Sequence, residues 1–561
     1  QVFFLLSSLS LQTSSPMAET FVGVDWGTSS CRAYLIDSRS GSILEAVVNP
    51  GAGALQVSAE GCDGFKQALD TLLRKGTSEL WLRPETSILM CGMVGSRLGW
   101  KEAPYISTPA DPSAVANGLI EVKALDGRSV WIVPGLSHSL ASGDAPDVMR
   151  GEETQLLGAA SCTESSGSSS TGRVFVLPGT HSKWACMKDG KITSFKTRMS
   201  GEIFDVLSKH SILGKLMDSS AKEDCWDAFE VGLQRSGKDG GILHNLFTCR
   251  TEGLAGTFTP AALPSYLSGL LIGHEVREVI ASGSILSGLT IVGSGALSER
   301  YRRAVAYISG TQAKVVEGKI AIGHGLCLLR RAVSKVAEHI ELCQKFTHAL
   351  ESCPIVAILR GIKPEDAVSI GEALIDAGVR IIEVPLNSPQ PLESIAYLAA
   401  KAPADVIIGA GTVLSPEDVT RVAQAGGKLI VSPNMDESVV RRTKELGLLS
   451  LPGCFTPTEA FSAIHAGADG IKAFPGEAIP PHILKAWRAV LPKESRVVPT
   501  GGVTVENMGL YWDAGVNGFG IGSNIFKPGE SASVVKAKAE SFVAKCHSLV
   551  QERAAKRQKS I

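Results

Sequence analysis

The chain has 561 residues, too many for one hydrophobic core, so two or three domains are expected. Apolar residues make up 44% and charged residues 20%, which excludes a disordered or fibrous chain. A formal net charge of −1 excludes bulk electrostatic attraction to nucleic acid or to an anionic membrane. The 59 glycines favour an α/β protein with tight turns and close contacts between backbone and ligand.

Residues 1–19 are expected to be a disordered extension. Their apolar part is short, without a basic start or a small-residue cleavage site, and makes a poor secretory signal. Met17-Ala18-Glu19 reads as a start, which predicts a cytoplasmic protein. The alternative is a Ser-rich, acid-free organelle transit peptide. No apolar run reaches the roughly 18 residues that suggest a membrane span. The twelve cysteines contain no C-x-x-C pair, so neither a zinc site nor a disulfide framework is indicated, and reduced thiols are expected.

The first patterned stretch is F-V-G-V-D-W-G-T-S-S-C-R-A-Y-L-I-D, residues 21–37. An apolar strand runs into Asp25, then Gly27, Thr28 and Ser29, then a second strand. Backbone amides and hydroxyls at such a tip can wrap a phosphate, while Asp25 holds Mg²⁺ directly or through water. It is not a Walker A loop, because no G-K-[ST] follows. The alternative is an ordinary Gly/Ser hairpin. The stretch V-F-V-L-P-G-T-H-S-K-W-A (174–185) repeats the device with Gly179 and Thr180. Between the two lies the low-complexity run E-S-S-G-S-S-S-T-G from position 164, which separates lobes of about 20–160 and 172–333. T-I-V-G-S-G-A-L-S (290–298), with Gly293 and Gly295, is suited to packing against a nucleotide base or ribose.

Two phosphate hairpins and a later glycine-rich turn resemble the actin/hexokinase-like ATPases, whose two RNase-H-like lobes close around ATP. The finer resemblance is to the 2-dehydro-3-deoxygalactonokinases. It is carried by G-M-V-G-S-R-L-G-W-K-E-A-P-Y (92–105), V-M-R-G-E-E-T-Q-L-L-G (148–158), L-P-G-T-H-S-K-W, M-S-G-E (199–202) and L-S-G-L-L-I-G-H-E-V (267–276), and it covers about 20–333. It implies ATP- and Mg²⁺-dependent phosphorylation of the terminal hydroxyl of 2-dehydro-3-deoxygalactonate. A carboxylate must accept the hydroxyl proton. Glu152 is chosen over Glu153, the alternative being a structural pair of Glu152 with Arg150. Residues 92–100 are expected at the sugar acid, with Ser96 and Arg97 at its carboxylate. His181 is expected to pack or hydrogen-bond.

The stretch 331–352 is helical in period and charge with no breaker before Pro354, so 334–352 is expected to be a helical linker. From 353 to 545, short β-rich runs alternate with amphipathic stretches. Eight such runs predict a parallel (β/α)₈ TIM barrel. Residues 546–561 are expected to be a basic, frayed tail. In a TIM barrel the strand C-termini build the active site, and the loops after the last two strands usually bind phosphate. Arg360 ends the first strand and Glu383 lies late in the second. Thr412 follows the third, and Lys472 is on the sixth. Gly501 and Gly502 follow the seventh strand, Gly522 and Ser523 the eighth. A lysine in an apolar barrel mouth favours its free amine, which can attack a ketone, and the iminium permits C–C cleavage with Glu383 moving protons. The bland readings are a snorkelling lysine, a structural ion pair at Arg360 and a plain turn at Gly501-Gly502.

A-I-L-R-G, E-V-P-L-N-S-P, G-A-G-T-V and G-I-K-A-F-P resemble the class I aldolases of 2-dehydro-3-deoxy-phosphogluconate and -phosphogalactonate, over about 347–545. P-L-N-S-P is similar to the phosphogalactonate branch. The resemblance implies Lys472 as Schiff-base lysine, Glu383 as proton shuttle, Arg360 and Thr412 on the pyruvyl end, and Gly501, Gly502, Gly522 and Ser523 near the phosphate. It implies no metal and no other cofactor in this half, and a trimer formed through the barrel. The product of the first half would be the substrate of the second. The partners expected are therefore small molecules, with no nucleic acid and no membrane. The same reactions on the gluconate epimer, or a nucleotide-binding scaffold without transfer activity at the N-terminus, are the alternatives.

Overall fold

The computed structural model describes residues 20–139, 145–163, 172–218, 220, 223–283 and 288–558. The extension at 1–19 and most of the low-complexity run at 164–172 lie outside the described residues. The chain divides into two compact units between Val336 and Ala337. Among the described residues, no helix is long and apolar enough to cross a membrane.

The N-terminal unit is built on two large mixed sheets. The first has six strands in the order Ile43–Asn49, Cys31–Asp37, Thr20–Trp26, Ile88–Gly92, Ser129–Ile132, Ile120–Lys123. The second has five, in the order Lys191–Arg198, Ser182–Lys188, Arg173–Leu177, Thr290–Val292, Lys314–Val316. In each, a central strand turns back into an antiparallel partner and pairs in parallel on its other side. One hydrophobic cluster takes Phe21, Tyr34 and Ile36 from the first sheet and Phe175 and Leu177 from the second. Leu156 and Leu326, from the helices Glu152–Cys162 and Gly318–Ser352, complete it. These helices touch backbone to backbone. A side chain at Gly158 would run into the Ala321 carbonyl, and one at Gly325 into the Thr154 carbonyl.

The C-terminal unit alternates strand and helix. A six-stranded parallel sheet runs in the order Leu449–Leu451, Leu429–Val431, Ile407–Gly411, Ile381–Pro385, Ile355–Ile358, Phe519–Ile521. A three-stranded parallel sheet runs Gly453–Cys454, Ile471–Ala473, Val497–Pro499, and a lone bridge joins Thr500 to Gly520. One expected strand is split at Pro452, which has no N–H for a ladder bond. The strands are buried along their whole length, as parallel strands covered on both faces are.

Two expectations need correction. Residues 334–352 are helical, but as part of one 35-residue helix, Gly318–Ser352. Its Phe346, Ala349 and Leu350 are buried against Ile381, Ile407 and Leu429, so this stretch is core rather than linker. The expected tail is likewise structural. The helix Ala532–Gln558 buries Cys546 and Leu549. The indole N–H of Trp512 donates to the Leu549 carbonyl at 2.9 Å, and Arg553 stacks on the Trp512 ring. Its basic composition hid these apolar positions. Leu549→Ala is expected to destabilise the C-terminal unit by about 2–4 kcal/mol, measured by denaturant unfolding followed through tryptophan fluorescence.

Candidate active sites

In the C-terminal unit, Lys472 sits at the middle of Ile471–Ala473, and Glu383 at the middle of Ile381–Pro385. Both are almost fully buried, at 4% and 1% exposure. Burial lowers the pKa of Lys472, with the Arg360 guanidinium adding to that effect and the Glu383 carboxylate opposing it. Burial raises the pKa of Glu383 against the pull of Lys472 and Arg360. Each group is pushed toward its neutral form. The Lys472 ammonium lies 4.8 Å from the centre of the Phe474 ring. Glu383 Oε2 makes no hydrogen bond, and a Cβ at Gly411 would stand 2.7 Å from Glu383 Oε1. Glycine at 411 thus leaves the carboxyl group the space it fills.

Around this pair, Arg360 donates to Asn387 Oδ1 at 3.0 Å. Thr412 follows the strand Ile407–Gly411 with a left-handed φ of 56°, a conformation uncommon for threonine. Gly501 and Gly502 also have positive φ, and the Glu477 side chain lies over both. The Gly522 carbonyl accepts the amides of Ile525 and Phe526, so the backbone turns there and Ser523 is left exposed. Asn387, Phe474 and Glu477 were not anticipated as site residues, although Asn387 lies within E-V-P-L-N-S-P and Phe474 within the motif that carries Lys472.

In the N-terminal unit, Asp25 ends its strand opposite Arg32, with 3.5 Å between Oδ2 and Nη1. Burial raises the pKa of Asp25. Arg32 opposes this and the Glu152 carboxylate adds to it, so Asp25 and Glu152 are electrostatic neighbours. Glu152 begins the helix Glu152–Cys162. It accepts the Arg150 backbone N–H at 3.0 Å and pairs with Lys183 Nζ at 3.3 Å. The side-chain ion pair is therefore with Lys183, and Arg150 contributes its backbone. Glu153 is fully buried and pushed up to about 8 by that burial and then by Glu152. Asp25, with Glu152 as its electrostatic neighbour, offers the carboxylate oxygens that a hard divalent cation such as Mg²⁺ takes.

The first hairpin tip is held by the amides of Ala54 and Leu55, which donate to the Gly27 and Thr28 carbonyls. Thr28 and Ser29 are exposed. Gly179 and Thr180 line a cavity of about 380 Å³ with Glu202, Leu271, Ile272, Leu297, Arg300 and Tyr301. The Glu202 amide donates to the Thr180 carbonyl. Of the glycine-rich turn, Gly295 opens the helix Gly295–Ser309, whose Leu297, Arg300 and Tyr301 face the cavity. Gly293 packs by its backbone near Ser298. His181 hydrogen-bonds Glu202 at 2.5 Å, as expected of it. Ser96 Oγ is buried without a hydrogen-bond partner, and so are Arg150 Nε and Nη1. Arg97 is exposed. Arg150, beside Gly95, is thus a buried guanidinium with open donors, which the motif around Arg97 does not mark.

Residues 25–329 match the family model described as 2-keto-3-deoxy-galactonokinase, and residues 346–538 that described as KDPG and KHG aldolase. A 2-dehydro-3-deoxygalactonokinase of Escherichia coli is 34% identical over 318 residues, covering 57% of this chain and 100% of the relative. A 2-dehydro-3-deoxy-6-phosphogalactonate aldolase of the same organism is 44% identical over 198 residues, covering 35% of this chain and 97% of the relative. A 2-dehydro-3-deoxy-phosphogluconate aldolase of Treponema pallidum is 33% identical over 163 residues, covering 29% of this chain and 77% of the relative.

Glu383→Gln removes the one negative charge that holds the Lys472 pKa up. The midpoint for reductive trapping of pyruvate on Lys472, followed as a function of pH, is expected to move to lower pH than in the wild type. An unmoved midpoint would mean that the two groups do not sense each other.

Proposed function

We infer, from a chain that belongs to the 2-keto-3-deoxy-galactonokinase family through residues 25–329 and to the KDPG and KHG aldolase family through residues 346–538, a bifunctional enzyme of galactonate breakdown. The N-terminal half phosphorylates 2-dehydro-3-deoxygalactonate with ATP. The C-terminal half cleaves the 6-phosphate to pyruvate and glyceraldehyde 3-phosphate. The product of the first reaction is the substrate of the second. The gluconate epimer is less favoured, since identity is 44% to the phosphogalactonate aldolase and 33% to the phosphogluconate aldolase.

The observation that carries the lyase chemistry is the buried Lys472–Glu383 pair, each member displaced toward neutrality. The neutral Lys472 amine adds to the C2 ketone, the protonated Glu383 carboxyl gives its proton to the departing water, and an iminium forms beside the Glu383 carboxylate. Glu383 takes the C4 hydroxyl proton as the C3–C4 bond breaks and its electrons flow into the iminium. The resulting enamine is protonated at C3, and hydrolysis frees pyruvate and the lysine. Arg360 and Thr412 would hold the pyruvyl end. The positive-φ amides at Gly501 and Gly502, with Gly522 and Ser523, would meet the phosphate. The parallel pairing on both sides of Ile355–Ile358, with the bridge from Thr500 to Gly520 that links the two sheets, supports a closed (β/α)₈ barrel, and the family a trimer built on it.

For the kinase we propose an actin-like pair of lobes, supported by the repeated hairpin-plus-parallel-strand sheets. The tips at Gly27–Ser29 and Gly179–Thr180 would bracket the ATP phosphates. The helix of Gly295 would lie toward the base. Glu152 would accept the hydroxyl proton, with Lys183 aiming its carboxylate. Asp25 would hold Mg²⁺, which when bound offsets phosphate charge. Ser96 and Arg150, more than Arg97, would meet the substrate carboxylate.

Lys472→Ala is expected to lower cleavage by at least about 10³-fold and leave phosphorylation intact. Asp25→Ala should abolish phosphorylation and leave cleavage of supplied 6-phosphate unchanged. Borohydride trapping with pyruvate, read by peptide mass, should mark Lys472. An unlabelled, folded protein would exclude the imine route.

A further inference from the structure

A second cluster of reactive side chains lies on the same unit and takes no part in the chemistry above. His339 and Cys343 are one turn apart on the helix Gly318–Ser352, so they share a face. Asp469 precedes the strand Ile471–Ala473. Their donor atoms form a nearly equilateral triangle. Cys343 Sγ is 3.3 Å from His339 Nε2 and 3.4 Å from Asp469 Oδ1, and Nε2 is 3.5 Å from Oδ1. Three ligands on one face of a tetrahedral zinc ion, with bonds of about 2.0–2.3 Å, stand about 3.3–3.6 Å apart.

The ligand orientations are fixed from outside. His339 Nδ1 hydrogen-bonds the Gly447 carbonyl at 3.0 Å, so Nδ1 carries a proton and Nε2 points into the triangle. Asp469 Oδ2 accepts the Ser450 amide at 2.9 Å, leaving Oδ1 for the triangle. Such backbone anchors to the far atom of a ligand are what metal sites use to set tautomer and aim. The position in front of the triangle is taken by a cation already. Lys444 Nζ lies 2.7 Å from His339 Nε2 and 2.7 Å from each oxygen of Asp469. Its side chain is 24% exposed and has room to swing into solvent.

We propose that His339, Cys343 and Asp469 form a binding site for a divalent, borderline-soft cation of the zinc type, with the Lys444 ammonium as its placeholder when no metal is bound. A dication with the Asp469 carboxylate and the Cys343 thiolate sums to zero. Binding therefore forms the metal–sulfur and metal–nitrogen bonds, sends the thiol proton and any proton on His339 Nε2 to solvent, and moves the ammonium out with its proton. Because the ligands come from the helix and from the segment leading into the Lys472 strand, the ion would staple the two together. A search for C-x-x-C spacing cannot find the site, since its ligands are spread from 339 to 469.

The test uses the full chain, stripped with a chelator and titrated with Zn²⁺, with bound metal counted by elemental mass spectrometry. One tightly held equivalent is expected, with at least one proton released per ion in weak buffer. Co²⁺ in place of Zn²⁺ should give a thiolate-to-metal charge-transfer band that Cys343→Ser removes. His339→Gln should weaken binding by about 100-fold or more. Lys444→Met, which removes the competing ammonium, should tighten it, and this variant keeps the test decisive if Cys343→Ser fails to fold. No binding by the wild type, a cobalt band that survives Cys343→Ser, or an affinity unaffected by Lys444→Met would each overturn the proposal.

Discussion

A lysine and a glutamate share the dry interior of two parallel strands, and the C-terminal unit is organised around keeping them there. Removing one ion from water costs several kcal/mol even after relaxation. The pair lowers that cost by drifting toward neutral amine and neutral acid. The surroundings neither hydrate nor fully hydrogen-bond them. Glu383 keeps one oxygen without a partner, Gly411 clears its space and Phe474 offers a ring face to Lys472. Such an arrangement holds only inside strands buried on both faces. The alternation of strand and covering helix follows from the same requirement.

The N-terminal unit solves a different problem, which is to bring backbone rather than side chains close to a highly charged ligand. Both hairpin tips are held from behind by main-chain hydrogen bonds, from Ala54 and Leu55 in one case and from Glu202 in the other. The tips can then be small and polar without being loose. The charged side chains stand just behind them, with Asp25 beside Arg32 and Glu152 beside Lys183.

What could be read from the sequence was whatever local pattern encodes. The strands that carry Asp25, Glu383 and Lys472, and those that flank Gly179, are short β-rich runs, and they lie where their periodicity puts them. Long-range partners were not legible, because nothing local marks them. Lys183 reaches back to Glu152, Asn387 to Arg360, and Arg150 rather than Arg97 offers buried open donors. The C-terminal helix was hidden for a related reason. Its apolar contacts, Cys546 and Leu549, are diluted among lysines, arginines and alanines, so composition outweighed pattern.

Glu153 gives the kinase half an upper limit on pH. Its carboxyl, pushed up to about 8 by burial, binds its proton more tightly folded than unfolded. Its contribution to stability is therefore complete below the ordinary glutamate range and is lost as pH rises through 8. In neutral solution it is a silent neighbour, hydrogen-bonded to Gly151 and Thr154. In alkaline solution it becomes a second negative charge against Glu152, at the junction where Gly151 lies over the Gly92 backbone. The part of the alkaline loss that comes from this group is thus tied to one hidden proton, which salt in the solvent screens little.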